Sequence, residues 1–288
     1  MARIVGVHGI RQTQTSKSRL TAEWSKAVNR GLGSIEQPGI VTGDLELPHW
    51  TGLLARGADR LGAEDDPFGP AAPLSQEEVA FVTDALEEVV HSDDLATFEE
   101  IELQTLGLPR LWPARLTRLV MAYDHRYPRG GGKLFVSAMR EVRFYLYEPG
   151  LAARVRELVA DAFGDDTSVV VAHSLGSVIA YDLLRRSQIP PERVAEVRTL
   201  VTCGSPLAIP AVRRGLGVAD GEPLKLPGDI NWVNAFDPGD FITGGRGLSH
   251  TSPAITDARV RNGVVDPHKA LTYLRTAPVA HAIAGEER

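Results

Sequence analysis

The sequence predicts an α/β fold, a mostly parallel sheet flanked by helices on both faces. Three observations lead to that class. Short apolar runs rich in β-branched residues occur at 4–7, 168–172, 197–203 and 230–236, the pattern of strands buried on both faces. Apolar residues at helical spacing precede and follow the run at 168–172, and strands alternating with helices build parallel sheets. The chain has 288 residues, 43% of them hydrophobic, enough for one large core.

The elements follow in order. Residues 4–7 read as a strand that stops at the tight turn His8-Gly9. Leu20, Trp24, Ala27 and Val28 recur at helical spacing, and Gly31 ends that pattern. Residues 44–50 are a candidate second strand. The stretch 51–130 is different: a Pro/Gly-punctuated acidic run at 63–70, helical turns over 76–90, then Pro109 and Pro113. It reads as a helical or irregular, cap-like insertion within a single domain. Trp50, Leu111 and Trp112 fit either a lid over a site or a small core of the insertion itself. Regular structure resumes with helices at 134–147 and 151–163, the turn Gly164-Asp165-Asp166, a strand at 168–172 and a helix body at 178–184. Strands at 197–203 and 230–236, a short β-like run at 259–265 and a final helix at 268–274 complete the pattern.

Composition narrows the function classes. With 31 basic and 37 acidic residues the formal net charge is −6, which gives no general attraction to nucleic acid or an anionic membrane. Cys203 is the only cysteine, so neither an internal disulfide nor a cysteine-built metal site is expected. No apolar stretch reaches the roughly 18 residues of a membrane span, and the N-terminal residues lack the pattern of a signal peptide. Cytoplasm is the expected compartment. Gly239, Gly244, Gly245 and Gly247 do not form a phosphate-binding pattern. With no metal cluster or nucleotide loop visible, no cofactor is expected, and the partner that composition leaves open is a small molecule.

The chemistry concentrates at 169–184. An apolar strand runs into Ala172-His173-Ser174-Leu175-Gly176, and an apolar-periodic helix follows. A serine at such a strand-to-helix turn adopts a strained backbone and presents its hydroxyl above the sheet. Small residues on either side let strand and helix approach closely. The helix start also offers partial positive charge and a free amide to a developing oxyanion. The competing reading is an ordinary strand–helix turn with serine as a cap. In this architecture the His-Gly turn after the first strand supplies a second amide, from Ile10, beside that of Leu175. His8 itself reads as scaffold, and Arg11 as a surface ion-pair residue.

An activated serine needs a base, and the base needs an orienting acid. With the order serine, acid, histidine, both partners lie after Ser174. Asp237 and Asp240 follow the strand at 230–236, and both are candidates for the acid. Of His250, His268 and His281, His268 stands after the last β-like run at the opening of a helix, where the base belongs. His250 lies in a Gly/Ser-rich loop and His281 in an Ala-rich tail.

These residues together resemble the α/β-hydrolase superfamily, and most closely its lipase- and esterase-like members. The resemblance rests on His8-Gly9, Ala-His-Ser-Leu-Gly, Asp-Pro-Gly-Asp after the later strand, and Asp266-Pro267-His268; it spans residues 1–12 and about 165–275. It implies Asp240, followed by apolar Phe241-Ile242, as the acid, with Asp237 the alternative. It implies His268 as base, with an aromatic residue, Tyr273, five positions on. Two departures accompany it: Ala172 stands where glycine is usual, and the chain begins at what resembles the third strand of the family. A reduced sheet of about six strands follows. The implied activity is hydrolysis of a carboxylic ester through an acyl-enzyme on Ser174. Thioester hydrolysis or acyl transfer on the same residues, and a catalytically silent binding protein, are the alternatives.

Overall fold

A computed structural model describes residues 3–10, 12, 14–53, 73–99, 112–127, 130–186 and 189–285. Its centre is an open sheet of six strands, all parallel: β1 (Arg3–Val7), β2 (Leu45–Glu46), β3 (Thr167–His173), β4 (Thr199–Cys203), β5 (Asn231–Phe236) and β6 (Ile255–Arg259). The spatial order is β2-β1-β3-β4-β5-β6, so β1 sits between β2 and β3 and the chain then adds strands one by one to the far edge. Val7 lies opposite Ala172, His173 opposite Cys203, and Cys203 opposite Ala235. The strand ends that matter for chemistry are thereby aligned along one edge.

A parallel sheet exposes two apolar faces and needs helices on both. Val170, Leu200 and Trp232 face one core, closed by α4 (Ala114–Arg126), α5 (Gly131–Tyr147), α6 (Pro149–Ala160) and α7 (Leu175–Arg185). Ile4, Val169, Val171 and Val201 face the other, closed by α1 (Lys17–Ser34) and by α11 (Ala277–Ala284).

The described parts of 51–130 are helical. They comprise residues 51–53, α2 (Gln76–Val89), α3 (Ser92–Glu99) and α4. A reciprocal cap starts α2: the Ser75 hydroxyl accepts from the Glu78 amide, and the Glu78 carboxylate accepts from the Ser75 amide. Val82, Leu86, Leu119 and Tyr123 are buried in the same core as Val170 and Leu200. Trp50 is fully buried there and Trp112 packs against that core, so both join the core of the sheet rather than one belonging to the insertion. Leu111, the 63–70 run and Pro109 lie outside the described residues.

Several boundaries differ from the sequence reading, each for a physical reason. The second strand is only Leu45–Glu46, the two residues that pair with Ile4 and Val5 of β1. Helix α1 runs through Gly31 to Ser34. Gly31 is a contact residue, not a stop: a Cβ there would lie 2.9 Å from the Leu274 carbonyl oxygen. The last strand is Ile255–Arg259, four residues earlier than the run at 259–265. That run held Val264 and Val265, which are 82% and 81% exposed. The helix expected at 268–274 is the short α10 (Ala270–Tyr273), and the Ala-rich tail beyond it forms a further helix, α11. The remaining helices, α8 (Pro191–Glu196) and α9 (Pro210–Gly215), lie in the crossovers on either side of β4. No described helix is long and apolar enough to cross a membrane.

Candidate functional site

In open parallel sheets the C-terminal strand ends form the natural binding edge. Here β1, β3, β4, β5 and β6 deliver His8-Gly9, Ser174, Gly204, Asp237–Asp240 and the His268 loop to that edge.

Ser174 occupies the turn between β3 and α7 with φ 56° and ψ −131°, a left-handed backbone costly for a residue with a Cβ. Its amide donates to the Cys203 carbonyl at 3.0 Å, which anchors the turn to β4. Gly176 makes the turn possible: a Cβ there would fall 2.1 Å from the Val7 carbonyl oxygen, so α7 begins in direct contact with the end of β1. Gly9 is confined in the same way, since a Cβ on it would lie 2.8 Å from Ser174 Cβ. Ala172, where the resemblance expects glycine, is completely buried and its methyl is accommodated in the core.

The Ser174 hydroxyl donates to His268 Nε2 at 2.9 Å, and His268 Nδ1 donates to Asp240 Oδ2, also at 2.9 Å. The two bonds are consistent with one tautomer: a proton on Nδ1 leaves the Nε2 lone pair facing the hydroxyl. Asp240 is completely buried. Its Oδ1 accepts from the Ile242 amide at 2.8 Å, and its Oδ2 also accepts from the Tyr273 hydroxyl at 2.7 Å. Gly204, at φ +56°, gives the pair room, because a Cβ there would lie 2.8 Å from Asp240 Oδ2. Asp237 is turned elsewhere. Its Oδ1 accepts from the Gly239 amide at 2.8 Å, and its Oδ2 accepts from the Asn262 amide. It ties the β5 turn to the loop after β6 and makes no bond to His268.

Leu175 follows the serine directly, and Ile10 follows Gly9 and lines the same cavity as Ser174. Leu175 is the first residue of α7, and Ile10 follows the β1 turn. Among the described residues neither amide donates to a protein acceptor. Each is therefore a free donor of the kind an oxyanion requires.

Two further histidines support the edge. His173 is buried directly before Ser174, and its Nε2 donates to the His268 carbonyl at 2.7 Å; the two rings stand 4.6 Å apart. Burial, then the neighbouring His268, holds the His173 pKa well below the ordinary value, so the ring is neutral. His8 donates from Nδ1 to the Gly9 carbonyl at 2.8 Å and stacks on Trp50 at 5.2 Å. Burial lowers its pKa to about 4. Trp50 Nε1 in turn donates to the His8 carbonyl at 3.1 Å. Burial, followed by the Asp240 charge, raises the Tyr273 phenol far above its usual value, so it stays a donor. Cys203 is buried and its thiol is pushed up by burial, which makes it a poor nucleophile.

Ser174 and His268 open into a cavity of about 1140 Å³, with Ile10, Leu134, Phe241 and Ile242 among its apolar walls. His250 and His281 do not line it. His281 lies in α11, and Arg11 lies outside the described residues. No described cluster of three or more His, Cys, Asp or Glu side chains could hold a metal ion.

Comparison of the chain with family models, with curated proteins and with solved structures returned no match.

The sequence singled out Ser174, Asp240, His268, Ile10 and Leu175. It assigned no role to His173, which lies within the quoted motif, and noted Tyr273 only as an aromatic residue after the histidine. Their bonds reach 95 residues, from His173 to His268, and 33, from Tyr273 to Asp240. No local pattern carries such contacts.

Proposed function

We propose that this protein is a serine hydrolase of the α/β-hydrolase type, cleaving a carboxylic ester through an acyl-enzyme on Ser174. The observation that carries this reading is the unbroken relay Ser174 Oγ–His268 Nε2 and His268 Nδ1–Asp240 Oδ2, both links 2.9 Å, ending on a buried carboxylate. A buried carboxylate bonded to a histidine fixes the imidazole and stabilises the imidazolium that forms when it takes a proton. The strained serine backbone adds support, since such strain gathers at functional sites.

The steps follow from the groups present. Ser174 Oγ attacks the ester carbonyl carbon as its proton passes to His268 Nε2. The carbonyl oxygen becomes the oxyanion, held by the Ile10 and Leu175 amides. Collapse of the tetrahedral adduct breaks the bond to the alcohol, and His268 returns the proton to that leaving oxygen. Water, deprotonated by the same imidazole, then attacks the acyl-enzyme. The second product is the free acid, and the proton goes back to Ser174.

An uncharged fluorophosphonate tests the reading. Ser174 is expected to become covalently labelled, and Ser174→Ala to abolish labelling with the fold intact. Ester turnover in that variant is expected to fall by about a thousand-fold or more. A folded wild-type protein that stays unlabelled and hydrolyses no ester would rule the reading out.

A further inference from the structure

We propose that the ester taken by this site carries an anionic group, a carboxylate or phosphate, beside an apolar acyl portion. This inference rests on the hydrolase reading and names its substrate class. Its basis is the charge of the cavity that Ser174 opens into. Arg259, at the end of β6, Arg261 and Lys269 all line that cavity and are exposed. Among the described residues none of the three makes an ion pair or a side-chain hydrogen bond. Arg126 lines the cavity too, with Asp94 Oδ2 no nearer than 3.8 Å.

The carboxylates of the same lining do not balance them. Glu23 is bound to Arg19 at 3.0 Å. Both oxygens of Asp237 accept backbone amides. A carboxylate bonded to amides keeps its charge, so among the described lining residues Asp237 and Asp266 stand against four cations, Arg126, Arg259, Arg261 and Lys269. Some arginines elsewhere are ion-paired: Arg214 meets Asp84, Glu88 and Asp220, and Asp182 gathers Arg156, Arg185 and Arg186. A positive cavity mouth in a chain of net charge −6 is a local arrangement rather than a consequence of composition.

Cations that outnumber the counter-charges lining one cavity repel one another, and an incoming anion relieves that repulsion. A cleft of one sign also focuses the field and raises the encounter rate of an oppositely charged ligand, an effect that salt screens. Arginine adds the planar fork that suits carboxylate and phosphate oxygens. The apolar walls at Leu134, Phe241 and Ile242 receive the hydrocarbon part.

The test compares 4-nitrophenyl hexanoate with mono-4-nitrophenyl adipate, equal in carbon chain and leaving group but different in one terminal carboxylate. The adipate is expected to have the higher kcat/KM, by about ten-fold at low ionic strength. That ratio should fall toward unity at high salt and in the triple variant Arg259→Gln/Arg261→Gln/Lys269→Gln, whose exposed positions leave the core untouched. A second arm compares short-chain phosphatidylglycerol with phosphatidylcholine. Preference in the lipid pair alone assigns the anion to a headgroup, and preference in the soluble pair assigns it to a free ester. A ratio at or below unity in both pairs, or a preference that survives the triple variant, overturns the proposal. Fluorophosphonate labelling on the same preparations separates the two levels. A labelled Ser174 without anion preference refutes this inference alone, whereas an unlabelled Ser174 removes the hydrolase reading beneath it.

Discussion

Asp237 and Asp240 stand three positions apart in one turn and have opposite surroundings. Asp240 accepts from His268, Tyr273 and the Ile242 amide, while Asp237 accepts from two backbone amides. Asp240→Asn is expected to keep the shape of the turn while offering an N–H toward His268 Nδ1, which favours the tautomer with its proton on Nε2. Ester kcat should then fall by about four orders of magnitude. Asp237→Asn retains an acceptor for the Gly239 amide, and its kcat should stay within about ten-fold of the parent. Steady-state kinetics on a chromogenic ester compares the two, and equal losses would contradict the division of roles. Tyr273→Phe removes the phenol that donates to Asp240 Oδ2 and accepts from the Asp237 amide at 3.0 Å. Leaving those buried groups short of a partner is expected to lower stability by about 1–3 kcal/mol. If the phenol also holds Asp240 in register, kcat falls by about ten- to a hundred-fold at a temperature where the variant is fully folded. A purely structural phenol would leave kcat alone. The sequence carried the serine and a short roster of acids and bases, because residue types and chain order are local facts. It could not carry Tyr273 as a bridge, since that role exists only once α10 closes over the β5 turn.

At the scale of elements, the junction of β3, α7 and β1 is the least tolerant part of the molecule. A methyl on Gly176 would meet the Val7 and His8 carbonyl oxygens at 2.1 and 2.6 Å, and both are backbone atoms that cannot rotate away. Gly176→Ala is therefore expected to destabilise the protein by about 3 kcal/mol or more, or to prevent folding. Gly33 offers the opposite case inside α1, where an added methyl would find nothing within 4 Å. Gly33→Ala should stabilise by about 0.4–1 kcal/mol through the unfolded chain and helix propensity. Urea unfolding of the pair measures both signs. The same contrast explains which strands were readable. β3 and β4 lie between two neighbours under helices on both faces, so their middles are apolar, Val169–Ala172 and Leu200–Val201, and visible in sequence. β6 is an edge strand, Ile-Thr-Asp-Ala-Arg, with only Ile255 buried. Its identity comes from pairing: Asn234 lies opposite Asp257 and donates to it at 2.8 Å, a contact with no signature in either segment alone. The valines that suggested a later strand belong to an exposed loop.

Across the whole molecule, two neutral histidines are buried at adjacent strand ends, His8 after β1 and His173 closing β3, and they link stability to pH. Burial is the largest cause of the lowered pKa at both. In the unfolded chain each ring titrates near 6.5, whereas folded His8 titrates at about 4. Between those values the unfolded state binds more protons, so stability rises with pH and is lost on acidification. Above 6.5 the penalty is absent. Below 4 the His8 contribution levels off, because the folded ring is then protonated as well. For His8 alone the fall between pH 7 and pH 5 is about 2 kcal/mol, and His173 acts in the same direction. Urea unfolding at the two pH values is expected to show lower stability at pH 5 in the parent. In His8→Gln, whose side chain does not titrate, the slope should be shallower by about the His8 share even if the variant is less stable at both pH values. The difference between the two slopes isolates the buried ring from the other titrating groups, since these are common to both proteins. Parallel slopes would mean that His8 is protonated in the folded chain, at odds with its stacking on Trp50 and with its Nε2 having no hydrogen-bond partner among the described residues.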